Sequence, residues 1–277
     1  MIKDVVVNLS LGTDRDPACE YAISLAQACN AHITGIAFAY DPLLAAPAGG
    51  WEVMPPYWIE EQRAKSAEVA GVAVTSFEQG ARRLGVGAQS HVITAGAAEA
   101  AERFGRIGRR FDLSILQQNE PGKPSYQDLL IEAALFDSGR PLLIVPYIQT
   151  AGFSLDHVLV CWDASRNAAR AIGDAVPMLA RAKAIEVVTI GSGSDTEEIP
   201  GFDIAHHLAR HGLKVELKSI VAPDLDVSSS ILSHAADVSA DFIVMGGYGH
   251  SRMREFILGG ATRGLLASMT IPTFMSH

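Results

Sequence analysis

The chain has 277 residues, a formal net charge of −9 and 48% hydrophobic residues, with no dense run of Lys or Arg. Affinity for phosphate backbones needs clustered cations, so an extended DNA or RNA surface is excluded. The apolar runs fall well short of the roughly 20 residues of a spanning helix, and Met1-Ile2-Lys3-Asp4 enters a strand instead of a signal peptide; a cytoplasmic protein without a membrane anchor is the expectation.

The first predicted strand is Val5-Val6-Val7, followed by an alanine-rich helix from Pro17 to Ala31 and a second strand, Ile33 to Phe38. Strand, helix and strand in that order predict a parallel sheet covered by helices. Residues 41 to about 63 carry Pro42, Pro47, Pro55 and Pro56, glycines 49 and 50, and both Trp51 and Trp58. Such chemistry predicts a loop with large apolar anchors, serving as a lid or a packing arm. A later strand, Phe111 to Leu116, runs into Gln117-Gln118-Asn119-Glu120-Pro121-Gly122-Lys123-Pro124, and Leu142 to Tyr147 closes the first half.

The second half opens with the strand His157-Val158-Leu159-Val160-Cys161-Trp162, which ends in Asp163-Ala164-Ser165. A helix from Arg166 to Ala182 follows, with Pro177 expected to kink or loosen it. The next strand is Ala184 to Thr189. His207 and His211 lie four apart with His206 adjacent and Asp203 one turn before, a spacing that would suit zinc but lacks a third clear ligand, so a solvated helical face is the better reading and no metal is assigned. Asp226 or Ser228 reads as a helix N-cap. The cysteines, 19, 29 and 161, form no C-x-x-C and read as reduced core thiols.

The strand Asp241 to Met245 leads into Gly246-Gly247-Tyr248-Gly249, and nine residues after Gly249 comes Gly259-Gly260-Ala261-Thr262, opening a helix that runs to Met269 before the closing strand Pro272 to Met275. A glycine-rich turn between a buried strand and a helix presents bare N–H groups to an anion, and the first donors of the helix have no intrahelical partner. Two groups of donors would then face one polyphosphate. Asp163 sits at the end of the half's first strand and the glycines at the end of its fourth, which flank the crevice of an open parallel sheet where the strand order reverses.

The two halves repeat one another. Val5–Val7 matches Val158–Val160 at an offset of 153 residues, and Ile33–Phe38 matches Ala184–Thr189 at 151. Further on, Phe111–Leu116 matches Ala240–Met245 at 129, which leaves 22 extra residues in the first half and places them in the 41–63 segment. Two tandem domains, 1–149 and 150–277, are therefore expected.

The spacing G-x-x-G-x9-G at Gly246, Gly249 and Gly259, with Asp163 closing a first strand and Pro177 inside a helix, resembles the universal stress protein domain, closely over residues 154 to 277 and more weakly over 1 to 148. The resemblance implies an α/β fold of two tandem open-sheet domains, each a five-stranded parallel sheet of order 3-2-1-4-5 flanked by helices. It also implies an adenine nucleotide in the second half, ATP first and ADP or AMP as alternatives, with Mg²⁺ as an optional companion. By the same resemblance Asp163 contacts the ribose or adenine side, with Trp162, Ala164 and Ser165 beside it; Val188 touches the base; Met245, Gly246, Gly247, Gly249 and Gly259 surround the ribose and phosphates; and Gly260 and Ala261 donate N–H groups. Apart from the resemblance, His250, Arg252, Arg254 and Arg263 could neutralise charge, although arginines on an exposed loop and helix are more often solvated, which is the stronger reading. Gly260 stands where the family's ATP binders have Ser or Thr, a loss that Thr262 would make good as a replacement hydroxyl.

The first half lacks the paired glycines and carries Ser10 near the position of Asp163, with Glu120 set to repel an anion, so no nucleotide is expected there. With no nucleophile paired to a base, no P-loop and no G-x-G-x-x-G, the chain reads as a nucleotide-binding regulatory module with an unidentified protein partner, not an enzyme. The alternatives are a nucleotide-free scaffold and a sensor of another small ligand. The resemblance further implies that the last strands of the halves meet across a pseudo-twofold axis, an intramolecular mimic of a dimer, with a homodimer of chains as a further possibility.

Overall fold

The structure, a computed structural model, describes residues 1–41, 55–123, 125–191, 203–221, 226–247 and 260–277. It divides into two compact units. The first comprises Ile2–Gln117 and Lys123–Arg140, the second Gln118–Gly122 and Pro141–His277 together with Met1.

In the first unit the strands β1 (Asp4–Asn8), β2 (His32–Tyr40), β3 (Ala88–Ala95) and β4 (Leu113–Gln117) are all parallel, with β1 between β2 and β4 and β3 outside β2. Val5, Val6 and Val7 are fully buried, as a strand covered on both faces requires. Helix α1 (Pro17–Cys29) begins with Pro at its first position under an Asp16 cap that accepts from the Cys19 N–H, and it ends at Asn30 in the left-handed conformation. Helix α2 (Pro56–Arg83) lies against β2, where a Cβ on Gly35 would come within 2.8 Å of the Phe77 ring. Helices α3 (Ala97–Gly108) and α4 (Gln127–Asp137) cross as closely, since a Cβ on Gly105 would meet the Ala133 carbonyl at 2.8 Å.

Helix α2 corrects one expectation. Residues 56–63, read as the end of a loop, form its first two turns, with the Trp58 N–H donating to the Pro55 carbonyl. Adjacent prolines end whatever precedes them, but the second also supplies the φ of a helix start, and Trp58-Ile59-Glu60-Glu61-Gln62 then continues the helix. Trp51 and the other residues of 42–54 lie outside the described residues.

In the second unit β5 (Leu142–Val145), β6 (His157–Cys161), β7 (Ala184–Gly191), β8 (Glu216–Val221), β9 (Phe242–Gly246) and β10 (Thr273–Ser276) form one sheet. Its parallel part runs β8-β7-β6-β9-β10, the expected order 3-2-1-4-5. The outer edge of β10 is taken by β5, antiparallel, with Thr273 opposite Ile144 and Met275 opposite Leu142. Helices α5 (Arg166–Leu179), α6 (Ile204–Arg210), α7 (Val227–Asp237) and α8 (Gly260–Ser268) connect the strands. Pro177 lies in the last turn of α5, where its missing N–H costs one bond and the helix ends two residues later. Asp226 caps α7 through the Ser229 N–H, and a Cβ on Gly264 of α8 would overlap Ser228 beside that cap. No helix among the described residues is long and apolar enough to cross a membrane.

Candidate nucleotide site in the second unit

The strand order of the second unit reverses between β6 and β9, so the carboxyl ends of these two strands flank its crevice. At the end of β6 the Trp162 N–H continues the ladder by donating to the Val188 carbonyl at 2.9 Å. Asp163 is exposed and accepts from the Ser165 N–H at 2.9 Å, closing a turn in which Ala164 takes a left-handed φ of 58°. Ser165 Oγ then caps α5 by accepting from the Ala168 N–H at 3.1 Å. The Asp163 carboxylate is thus held at the mouth of the crevice with a fixed backbone on either side. Burial pushes the neighbouring Cys161 thiol up to about 12, with the Asp163 charge adding to the shift, so the thiol stays protonated at neutral pH.

At the end of β9, Gly246 meets the first turn of α5 backbone to backbone. A Cβ there would lie 2.5 Å from the Ala168 nitrogen and 2.7 Å from the Asn167 carbonyl carbon. Gly247 is held on both sides: its N–H donates to the Ser276 carbonyl at 2.9 Å, and its carbonyl accepts from the Asn167 side-chain amide at 2.6 Å. His277 Nδ1 lies 2.9 Å from that same amide nitrogen and 3.1 Å from the Gly247 oxygen. Sequence reasoning missed Asn167, Ser276 and His277, because an Asn in a first helical turn carries no motif until the β9 turn is placed against it.

The structure therefore brings Trp162, Asp163, Ala164 and Ser165 to the end of β6 and Met245, Gly246 and Gly247 to the end of β9, on the two sides of one crevice. Gly260, Ala261 and Thr262 open α8, whose first N–H groups lack intrahelical acceptors. Val188 is 1% and Thr262 4% exposed, so the Val188 side chain belongs to the sheet's packing and the Thr262 hydroxyl to the interior of the unit. Gly249, His250, Arg252, Arg254 and Gly259 lie outside the described residues.

In the first unit the comparable place is closed by side chains. Ser10 donates its N–H to Asp16 Oδ2 at 2.7 Å, and its hydroxyl donates to Gln117 Oε1 at 3.2 Å, joining the ends of β1 and β4. Burial pushes the Asp16 carboxyl up, against the pull of the Cys19 and Ser10 amides. Gln118, in the second unit, is 2% exposed and donates its amide to the Leu266 carbonyl at 2.8 Å, which makes it a structural bolt for α8. Elsewhere in the first unit a cavity of about 290 Å³ is lined by Leu11, Tyr40, Gln62, Lys65, Ser66 and Val69.

Asp203 caps α6 and also accepts from the His206 ring, while the His207 and His211 rings stack edge-on at 4.9 Å. No group of three His, Cys, Asp or Glu side chains able to hold a metal occurs among the described residues.

An open, doubly wound α/β sheet with a turn-lined crevice at its strand-order reversal defines a class of small-ligand-binding folds. No family model matches the chain. Over 90 residues, 32% of this chain and 30% of the relative, the sequence is 29% identical to a universal stress protein of Synechocystis sp.. The crystal structure of a universal stress protein from Archaeoglobus fulgidus matches 99% of this chain and 95% of its own at a TM-score of 0.72 and 17% identity. A Pseudomonas aeruginosa protein described as functionally unknown matches 99% of this chain and 92% of its own at a TM-score of 0.62 and 14% identity. The resemblance to universal stress proteins thus holds in fold over the whole chain and in sequence over part of it. The chain covers less than a third of the Synechocystis relative's length.

Proposed function

We propose that this is a stress-response regulatory protein that binds an adenine nucleotide, ATP foremost, in the crevice of its second unit, and that the bound state alters its conformation or its choice of protein partner. The reading is carried by the convergence, at one strand-order reversal, of an exposed carboxylate at Asp163 with a turn that admits only glycine at residue 246. Asp163 suits ribose hydroxyls, the turn brings backbone close to a ligand, and the opening of α8 supplies N–H donors for phosphate. Gly260 leaves that end to backbone alone, which costs on the order of 1 kcal/mol against a hydroxyl donor. Mg²⁺ would accompany the phosphates. The role is binding, not catalysis. Freshly purified protein, denatured and analysed by chromatography and mass spectrometry, should release ATP or ADP at about one per chain, or bind added ATP calorimetrically. Absence of both nucleotide release and nucleotide binding would sink the reading and leave a nucleotide-free scaffold.

A second reading, a sensor of another small ligand, is favoured by the cavity of the first unit, where Lys65, Gln62 and Ser66 stand beside Tyr40, Leu11 and Val69. That lining suits a small carboxylic acid with an apolar body. Benzoate should then raise the melting temperature of the whole protein and lose that effect in Val69→Trp, which fills the cavity.

A further inference from the structure

Strand β3 ends its sheet: among the described residues its one neighbour is β2, with Ile33 opposite Ala88 and Tyr40 opposite Ala95. We propose that this bare edge is where two copies of the chain join, β3 against β3, antiparallel across a twofold axis that passes through His91. The proposal is independent of what either unit binds.

A parallel ladder engages the N–H and C=O of alternate residues along an edge strand. On β3 the ladder falls on the odd-numbered residues: the Gly87 carbonyl accepts from the Ile33 N–H at 3.0 Å, and the Ala95 carbonyl from the Asp41 N–H at 3.1 Å. The backbone groups of Ala88, Ser90, Val92 and Thr94 therefore point outward, away from β2. Val92 is 44% exposed, and His91 and Thr94 are exposed as well, so the strand is open to an approaching chain. An unpaired row of this kind is a template for another strand.

Proteins blunt such edges with charge or proline, and this strand carries neither. From Leu84 to Ala98 the sequence holds no Asp, Glu, Lys, Arg or Pro, in a chain of net charge −9. By contrast β8, at the edge of the second unit's sheet, carries Glu216 and Lys218. An uncharged strand is the part of a strongly acidic molecule that a second copy approaches with least repulsion. The second unit closes one of its own edges in the same sense, with β5 antiparallel on β10.

The outward pattern fixes the register. Antiparallel strands exchange both bonds between facing residues whose groups point at each other, so Ser90 faces the partner's Val92 and Ala88 the partner's Thr94. That register engages every outward residue and forms about eight hydrogen bonds. A slip of two residues either way leaves Ala88 or Thr94 without a facing strand residue. His91 then meets its own symmetry mate in a non-hydrogen-bonded pair, with α-carbons about 4.5 Å apart.

The test is sedimentation velocity of the full chain from about 1 to 200 µM, wild type against Val92→Pro. Wild type should pass from monomer to dimer within that range. Val92→Pro, which removes an N–H pointing away from β2, should dimerise about tenfold more weakly or worse. Its melting temperature at low concentration should stay near that of wild type, since edge strands accept proline where the N–H faces outward. The axis is read separately by His91→Cys, which should cross-link into a covalent dimer under mild oxidation, because two cysteines facing across a non-hydrogen-bonded pair meet disulfide geometry. Gln89→Cys, set about 13 Å from its own mate in this register, should not. Wild type, with Cys19 and Cys29 buried, gives the background. A wild type that stays monomeric, a dimer untouched by Val92→Pro, or a Gln89→Cys that cross-links as fast as His91→Cys overturns the proposal. Should Val92→Pro fail to fold, the two cysteine variants decide alone.

Discussion

Gly246 is the residue on which the second unit's crevice turns. An added Cβ would meet the Ala168 nitrogen and the Asn167 carbonyl carbon, both backbone, so neither can swing aside. Gly246→Ala should therefore cost about 2–4 kcal/mol and lower the melting temperature by several degrees, measurable by calorimetry. Cys161 offers a chemical check: with its thiol pushed up to about 12, it should alkylate at pH 8 far more slowly than a free thiol, as peptide mapping after iodoacetamide treatment would read. At this scale the positions of Gly246, Gly247 and Asp163 at the ends of β9 and β6 were legible because each follows an apolar run. Val188 and Thr262 were named from resemblance, and their burial reflects packing that no linear pattern reports. Asn167 stayed hidden because its partner, the Gly247 carbonyl, lies 80 residues away.

Helices follow their caps. Asp226 caps α7, and hydrogen bonds from Ser228 and then from the Ser229 amide hold its carboxyl below the ordinary range. A carboxylate depressed in the folded state contributes stability above its unfolded pKa and loses it as pH falls through the folded value. Asp226→Ala should accordingly melt below wild type at pH 7, with the gap closing as the pH drops beneath the ordinary carboxylate range; a gap that persists at low pH would count against the cap. This helix start was readable from Asp226 and Ser228 in sequence. The start of α2 was not, because four prolines within 42–56 outweighed the helix-forming residues after Pro56, although a proline at a first helical position favours a helix. The strand order of the second unit was legible through resemblance, and the pairing of β10 with an antiparallel β5 followed from the exposed edge.

At the scale of the molecule, the second unit gathers its continuous run from Pro141, which includes β5, the last strand of the first repeat. Phe274 and Met275 are fully buried on a strand whose outer neighbour is β5. A fragment of residues 150–277 would bare that edge and should dimerise or aggregate, whereas 141–277 should remain dispersed at the same concentration; size-exclusion chromatography separates the two outcomes. Equal behaviour would mean that β5 does not protect the edge. The offsets between similar segments, 153 and 151 and then 129, pointed to two halves and to an insertion in the first, whereas the pairing of β5 with β10 leaves no mark in periodicity.

Gln118 occupies the stretch of the first repeat that corresponds to the glycine turn of the second, and its amide now supplies a donor to the Leu266 carbonyl near the end of α8, where helical carbonyls lack partners of their own. One buried amide thereby pins the far end of α8 from outside the helix, so removing it should fray that end first: in Gln118→Ala the last turn of α8 should exchange its amide hydrogens faster than in wild type.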